Sequence, residues 1–355
     1  LRLAFGFPGQ NQCWTQWVKV FWFFFSKKNT CLAAQNTRQT RVMRIFADWR
    51  NLPADARGAA VALGNFDGVH LGHAHLLRSL HAARPAAPLA VLTFEPHPRE
   101  FFRPDDPPFR LTLSAERAAA LAHHGVGLVY EVGFDAAFSA MEATAFMRDL
   151  LQDGLGAVHV ACGPDFAFGH RRGGTVDVLA GWAEALGIGV TVVPAFADAQ
   201  GPVSSTRIRR LLQDGYPERA TAELGRAWAI RGEVAHGDKR GRTIGFPTAN
   251  VALGRHLEPA RGVYAVSVRL ADGSVRPGVA NVGRRPTVNA GPESRLEVHI
   301  FDFDGDLYGQ EIAVALHVFL RAEQKFAGLD ALRAQIAVDA AAARRALDAG
   351  TGAAP

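Results

Sequence analysis

Between residues 59 and 196 the chain alternates short apolar runs with stretches of helical periodicity, and few folds accept that alternation. AAVALGNF (59–66), APLAVLTF (87–94), GLVYEV (127–132), AVHVACG (157–163) and IGVTVVPAF (188–196) read as buried strands. GHAHLLRSLHAA (72–83), SAERAAALAHHG (114–125), ATAFMRDLLQDG (143–154) and VDVLAGWAEALG (176–187) read as the helices between them. Strands separated by helices of roughly 10–15 residues predict a doubly wound parallel sheet with ligands at the carboxyl ends of its strands. After about residue 228 the helical periodicity stops. EVAHG, GVYAVSVRLADGSVRPGVANVG and RLEVHIFDFDGDLYGQEIAVALHVFLR read as antiparallel strands, turning at sites such as Asp272-Gly273 and Asp304-Gly305. A small antiparallel barrel or sandwich follows from that pattern. QDGYPERATAEL (213–224) is the connection, partly helical, and an Ala-rich amphipathic helix from Leu329 closes the chain. The expected class is α/β + β, in two domains.

The net charge of +5 and pI near 9.4 suggest a polyanion-binding surface, but the excess is local. Residues 1–42 hold six Lys or Arg and no acid, which leaves 33 basic against 34 acidic residues in the body. The same segment carries two of the three Cys and three of the six Trp, and the first methionine is Met43. A signal peptide conflicts with Lys27 and Lys28 after the apolar stretch, and a transit peptide with the sparse Ser. An upstream reading-frame overshoot with the start at Met43 fits each oddity. Residues 1–42 are therefore expected to be a non-domain extension, and neither nucleic acid nor a membrane is an expected partner. No apolar run reaches the roughly 20 residues of a spanning helix. Three cysteines without a CxxC pair exclude a disulfide framework and a zinc ribbon, and HExxH and the P-loop pattern are missing.

Chemistry concentrates in five segments. In GNFDGVHLGH (64–73) a strand ends, Asp67-Gly68 turns, and a helix starts, placing His70 and His73 across its first turn beside unpaired backbone N–H groups that suit phosphate. Gly72 leaves room for a nucleotide against the backbone. The plain alternative is a strand–turn–helix with two surface histidines. The spacing resembles the HxGH signature of nucleotidylyltransferases related to class I tRNA synthetases. In VSSTRIRRLLQDG (203–215), Ser204, Ser205 and Thr206 can cap a helix, whereas Arg207 there opposes the helix dipole unless an anion sits beside it. GPDFAFGHRRGG (163–174) offers glycines for close backbone approach, while Phe166 and Phe168 also suit packing.

In RGEVAHGDKRGRTIGFPTAN (231–250), Gly241, Arg242, Gly245 and Pro247 belong to a basic, glycine-rich loop able to fold over phosphates. Thr248 and Asn250 share one face of an extended segment, and their oxygens are hard ligands suited to Mg²⁺. Glu297 lies mid-strand in SRLEVHI; it reads either as an ion-paired strand residue or as a base for a substrate hydroxyl. FDFDGD (301–306) mimics a calcium loop, but Leu307 and Ala313 stand where Gly and Glu are required, so a hairpin turn is expected.

Taken in order, GNFDGVHLGH, TFEPHPRE, GPDFAFG, SSTRIR, RGEVAHGDKRGRTIGFPTAN, GVYAV, GVANVGRRPTV, LEVHIFDFDGDLYGQ and FLRAEQKF resemble the bifunctional bacterial riboflavin kinase/FAD synthetase family. The likeness runs from about Met43 into the final helix; Ala322 departs from the family's FLRPE segment, and residues 1–42 match nothing. It implies an FMN adenylyltransferase domain over 43–222 and a riboflavin kinase barrel over 223–347. It implies further that ATP is co-substrate and that riboflavin, FMN and FAD are substrates and products; a cytoplasmic setting is expected from the reading of 1–42 as untranslated and from the reduced-thiol pattern of the cysteines. Glu297 would be the kinase base, with Thr248 and Asn250 on Mg²⁺. His70, His73, Ser205, Thr206 and Arg207 would serve adenylyl transfer. Gly64, Phe66, Asp67, Gly72, Gly163, Asp165 and Phe168 would line the nucleotide site, as Gly241, Arg242, Gly245 and Pro247 would in the kinase. Phe94, Pro96 and His97 of TFEPHPRE are candidates for the isoalloxazine ring. Three rivals remain: a different nucleotidylyltransferase, such as a cytidylyl or pantetheine enzyme, a flavin-binding or regulatory protein without turnover, and a nucleic-acid-binding barrel.

Overall fold

The structure is a computed structural model, and it describes residues 43–236, 245–285 and 293–351. The extension 1–42, Gly241 and Arg242 lie outside the described residues.

Six parallel strands form the first sheet: β1 (Arg44–Phe46), β2 (Ala60–Leu63), β3 (Leu89–Glu95), β4 (Leu128–Gly133), β5 (His159–Cys162) and β6 (Gly189–Val192). Their order is β1-β4-β3-β2-β5-β6, so the winding reverses between β2 and β5 and opens a crevice at their carboxyl ends. Alternate residues supply two separate apolar faces. Val61, Leu63, Leu92, Tyr130 and Val160 pack against Phe146, Leu150 and Leu179 on one side. Ala60, Ala62, Val91, Val129 and Ala161 pack against Leu76, Leu77, Leu80 and Leu121 on the other. Helices on both faces are what a sheet buried on both sides requires.

Helices α1 (Leu71–Ala83), α2 (Pro98–Phe102), α3 (Ser114–His123) and α4 (Val176–Ala185) lie where the periodicity places helices, except α2. The expected helix over 143–154 begins as Ala143–Ala145 and continues as a π-helix over Phe146–Gly154. Strand β1 and α2 were not legible: three and five residues are too short to show a period. A two-residue hairpin, β7 (Ala197–Asp198) with β8 (Gly201–Pro202), leads into α5 (Ser205–Gln213) and α6 (Pro217–Leu224). The boundary expected at 222/223 falls inside α6.

The second half is a closed barrel of β9 (Trp228–Ala235), β10 (Ala249–Ala252), β11 (Gly262–Arg269), β12 (Val275–Arg285), β13 (Glu293–Ile300) and β14 (Glu311–Ala322). Its order is β10-β13-β12-β11-β14-β9, closed by pairing of β9 with β10. The expected turn at Asp272-Gly273 joins β11 to β12, with Gly273 at φ 84°. The expected hairpin at Asp304-Gly305 is corrected: β13 and β14 are not neighbours. Segment 301–310 instead crosses from β13 to a strand that pairs with β11 and β9, turning at Asp302 and Gly309 (φ 53° and 72°). Helix α7 (Leu329–Thr351) covers the outer face through Ala343 and Leu347, against Val263, Ala265, Val279 and Phe301.

One core joins the halves. Ile208, Leu211 and Leu212 of α5 and Ala220 and Leu224 of α6 pack with barrel residues Trp228, Ile230, Val266, Val298 and Leu316. Polar contacts ring it: Arg255 reaches Glu95 at 2.8 Å and Glu100 at 2.6 Å, and His256 meets Glu116 at 2.9 Å. Leu212 is 1% exposed at this junction. L212A should lower stability by about 2–5 kcal/mol. Urea unfolding followed by tryptophan fluorescence and by circular dichroism should give coincident transitions; two separated transitions would refute the shared core.

Candidate active sites

The segment after β2 makes the tightest turn of the first half. Phe66, Gly68 and Val69 have φ of 51°, 85° and 44°, and the chain then enters α1 with His70 at its N-cap. A Cβ on Gly72 would lie 3.0 Å from the His70 ring and 3.3 Å from the Val203 carbonyl, so a hydrogen there lets the turn close against the segment between β8 and α5. The rings of His70 and His73 stack at 3.7 Å. His73 Nδ1 accepts the His70 backbone N–H at 3.3 Å, which leaves its Nε2–H as the donor. Burial pushes His70 down to about 4, and burial, then the neighbouring His70 and Arg226, hold His73 well below the usual imidazole range. Both rings are therefore neutral donors at neutral pH, and buried His70 Nδ1 has no hydrogen-bond partner among the described residues.

Asp67 is 2% exposed and binds the protein itself. Its carboxylate accepts N–H bonds from Leu111 and Thr112 at 2.9 Å and pairs with Arg209 at 2.6 Å. Its backbone carbonyl accepts Ser205 Oγ–H at 2.8 Å, which draws the start of α5 to the histidine turn. Ser204 is the helix N-cap, accepting from Arg207 N–H, and Thr206 is exposed. The anion that Arg207 called for is present as two carboxylates, Asp198 at 2.5 Å and Glu223 at 2.7 Å. Arg207 and the Gln200 N–H hold Asp198 down at about 2, while burial raises Glu223. Gly163 and exposed Asp165 follow β5 on the same carboxyl edge as Gly64, since β5 pairs with β2. Phe66 and Phe168 are core residues: Phe66 touches His73 at 4.8 Å between centroids, and Phe168 packs on Phe146 and Phe166.

Beyond β3 and β4 on that edge, Phe94, Phe101, Phe102, Phe134 and Phe138 form a chain of rings with centroids 5.1–5.7 Å apart. Phe102 is 64% exposed at its rim. His97 is buried and turned away, its Nδ1 accepting from Arg99 N–H and its ring edge-on to Phe109. Four of these phenylalanines, together with Arg209 and Arg226, escaped the sequence reading because only the tertiary fold gathers them.

The barrel carries a second constellation on its outside. Leu296 and Val298 point into the core, so Glu297 points outward. Register sets Asn250 of β10 and Asn281 of β12 directly opposite it on either side. Thr248 and Pro247 precede β10; the Pro247 carbonyl meets His299 Nδ1 at 2.9 Å, and Gly245 turns at φ 83°. Asn281 was not anticipated, since cross-strand register leaves no trace in a single strand's sequence. The hydroxyl and amide oxygens of Thr248 and Asn250 are neutral and hard, and no cluster of three His, Cys, Asp or Glu able to hold a metal occurs among the described residues. That donor set fits Mg²⁺ that keeps waters and takes its remaining ligands from phosphates.

Family models for FAD synthetase and riboflavin kinase match residues 52–207 and 224–347. The chain is 44% identical over 305 residues to the bifunctional riboflavin kinase/FMN adenylyltransferase of Escherichia coli (strain K12), covering 85% of this chain and 97% of that one. It is 42% identical to the protein of the same description from Pseudomonas fluorescens, with the same coverage. A crystal structure described as a macrolide-efflux protein from Streptococcus pneumoniae superposes with a TM-score of 0.75 at 33% identity, covering 84% of this chain and 97% of that one. Among the described residues no helix is long and apolar enough to cross a membrane. With a six-stranded parallel sheet, a six-stranded barrel and these identities, the chain belongs to the bifunctional riboflavin kinase/FMN adenylyltransferase family.

Proposed function

We infer that the chain makes FAD in two steps at two separate sites. What carries this reading is that each half has its own constellation and matches its own family model. We assign 43–222 to adenylyl transfer and 223–347 to the kinase, in a cytoplasmic setting.

In the kinase, the ribityl 5′-hydroxyl of riboflavin attacks the γ-phosphorus of ATP, the bond to the β–γ bridging oxygen breaks, and FMN and ADP result. Glu297 accepts the hydroxyl proton, and Asn250 and Asn281 beside it orient the substrate. Thr248 and Asn250 would hold Mg²⁺, which supplies charge neutralisation on the phosphates when bound. Gly241, Arg242, Gly245 and Pro247 are assigned to phosphate binding, on their glycine-rich, basic sequence.

In the second step a phosphate oxygen of FMN attacks the α-phosphorus of another ATP and pyrophosphate leaves. FMN phosphate is already an anion, so no base is required. Catalysis falls to positioned donors: His73 Nε2–H, His70, the N-terminal N–H groups of α1, and Thr206 and Arg207 of α5, while Ser205, whose hydroxyl hydrogen is committed to the Asp67 carbonyl, fixes the start of α5 beside them. Arg207 exchanges Asp198 for the phosphates. Gly64, Gly72, Gly163 and Asp165 border the nucleotide, Asp67, Phe66 and Phe168 brace its walls, and the isoalloxazine ring stacks on the phenylalanine chain at Phe102.

Three variants test this reading with riboflavin or FMN, ATP and Mg²⁺, the flavins being separated chromatographically. E297A should abolish FMN formation yet leave conversion of supplied FMN to FAD; loss of both activities in folded protein refutes the assignment. H73A should stop the protein at FMN, with FAD formation slowed on the order of 10²–10³-fold. Undiminished FAD synthesis removes His73 from the site. F102A should raise KM for FMN in adenylylation roughly tenfold, as loss of one stacking contact implies, without touching the kinase; an unchanged KM places the ring elsewhere.

A further inference from the structure

The turn that delivers His70 and His73 is held by a residue from the other half. Val69 is β-branched at φ 44°, a conformation such residues avoid, so the turn needs external support. Arg226 provides it. Its Nη2 donates to the Gly68 carbonyl at 2.7 Å and its Nη1 to the Val69 carbonyl at 3.0 Å. Arg226 lies between α6 and β9, inside the segment matched by the riboflavin kinase model and outside the one matched by FAD synthetase. It is anchored there, because Trp228 Nε1–H donates to the Leu111 carbonyl at 2.8 Å.

The contact acts on one rigid unit. The Val69–His70 peptide is planar: Arg226 binds its carbonyl, and its N–H donates to His73 Nδ1. Tilting that plane moves the His70 ring and withdraws the N–H donor that fixes the His73 tautomer. We propose that Arg226, a residue of the kinase segment, is a positioning residue for adenylyl transfer, holding the Val69–His70 peptide so that both histidines face the phosphates. The inference rests on the assignment of adenylyl transfer to these histidines. It makes the second activity depend on a residue of the kinase segment that acts through the histidine turn.

Arg226 also faces the histidines as a cation. His73 meets His70, Arg226 and His124, and His70 meets Asp67, Arg209 and Arg226. Loss of Arg226 makes protonation easier, and a protonated His73 can no longer accept the His70 N–H.

Full-length R226M and R226K test the proposal. R226M should lower kcat for FAD formation from supplied FMN by roughly 10–100-fold, the penalty of about 1 Å of misplacement, with both KM values little changed. The acid limb of that activity should move to higher pH, and riboflavin phosphorylation should stay at the wild-type rate. R226K should fall between, since an ammonium lacks the planar fork that holds two carbonyls. Wild-type kcat with an unmoved acid limb in R226M overturns the proposal, as does an equal fall of both activities in folded protein, which would mark a purely structural linker. If circular dichroism shows R226M unfolded, the same comparison is read from R226K. Failure of the underlying site assignment has its own signature, full FAD synthesis by H73A.

Discussion

The buried carboxylate of Asp67 is the point on which the proposed adenylylation site depends. It binds the backbone of 111–112 on one side and Arg209 of α5 on the other, while its own carbonyl takes the Ser205 hydroxyl. Three segments far apart in sequence thus meet at one residue. A carboxylate this deep persists only because each of its donors is in place, since removing one leaves a charge without compensation. The histidine turn, the helix that carries Arg207 and the segment under the barrel are therefore placed together or not at all.

The same economy of charge recurs where the halves meet. Arg110 is fully buried between Glu95 and Glu100, and Arg255 of the barrel reaches both of those carboxylates. Burial alone would raise both glutamates, but the guanidinium groups outweigh it and hold them below the usual carboxylate range. Glu100 also accepts the His97 N–H at the start of α2, so the barrel steadies the helix that bears Phe101 and Phe102. The ion pairs give the junction a fixed geometry, and the apolar core under it supplies most of the stability.

The two proposed sites use opposite electrostatics. At the first, neutral imidazoles and helix N-termini present donors to phosphates that arrive already ionised. At the second, an outward-facing carboxylate between two amides offers an acceptor to a hydroxyl that must lose its proton. Those demands suit a sheet's carboxyl edge and a barrel's outer wall, respectively, and explain why one chain keeps them apart.

Much was legible from the sequence. Alternation of apolar runs with helical periods marked all but the shortest elements of the sheet half, and local signatures such as HLGH and SSTR marked the first site, because side-chain periodicity and capping are properties of consecutive residues. The barrel's strands were visible but their order was not: Asp304-Gly305 looked like a hairpin, and only closure showed 301–310 crossing to a non-neighbouring strand. Register alone put Asn281 beside Glu297, and domain packing alone set Arg226 under Val69. By itself the sequence determined the element types, the two halves and the residues able to do chemistry. The tertiary structure decided which distant groups share a charge, a core or a peptide plane, because such contacts form between segments that carry no local record of one another.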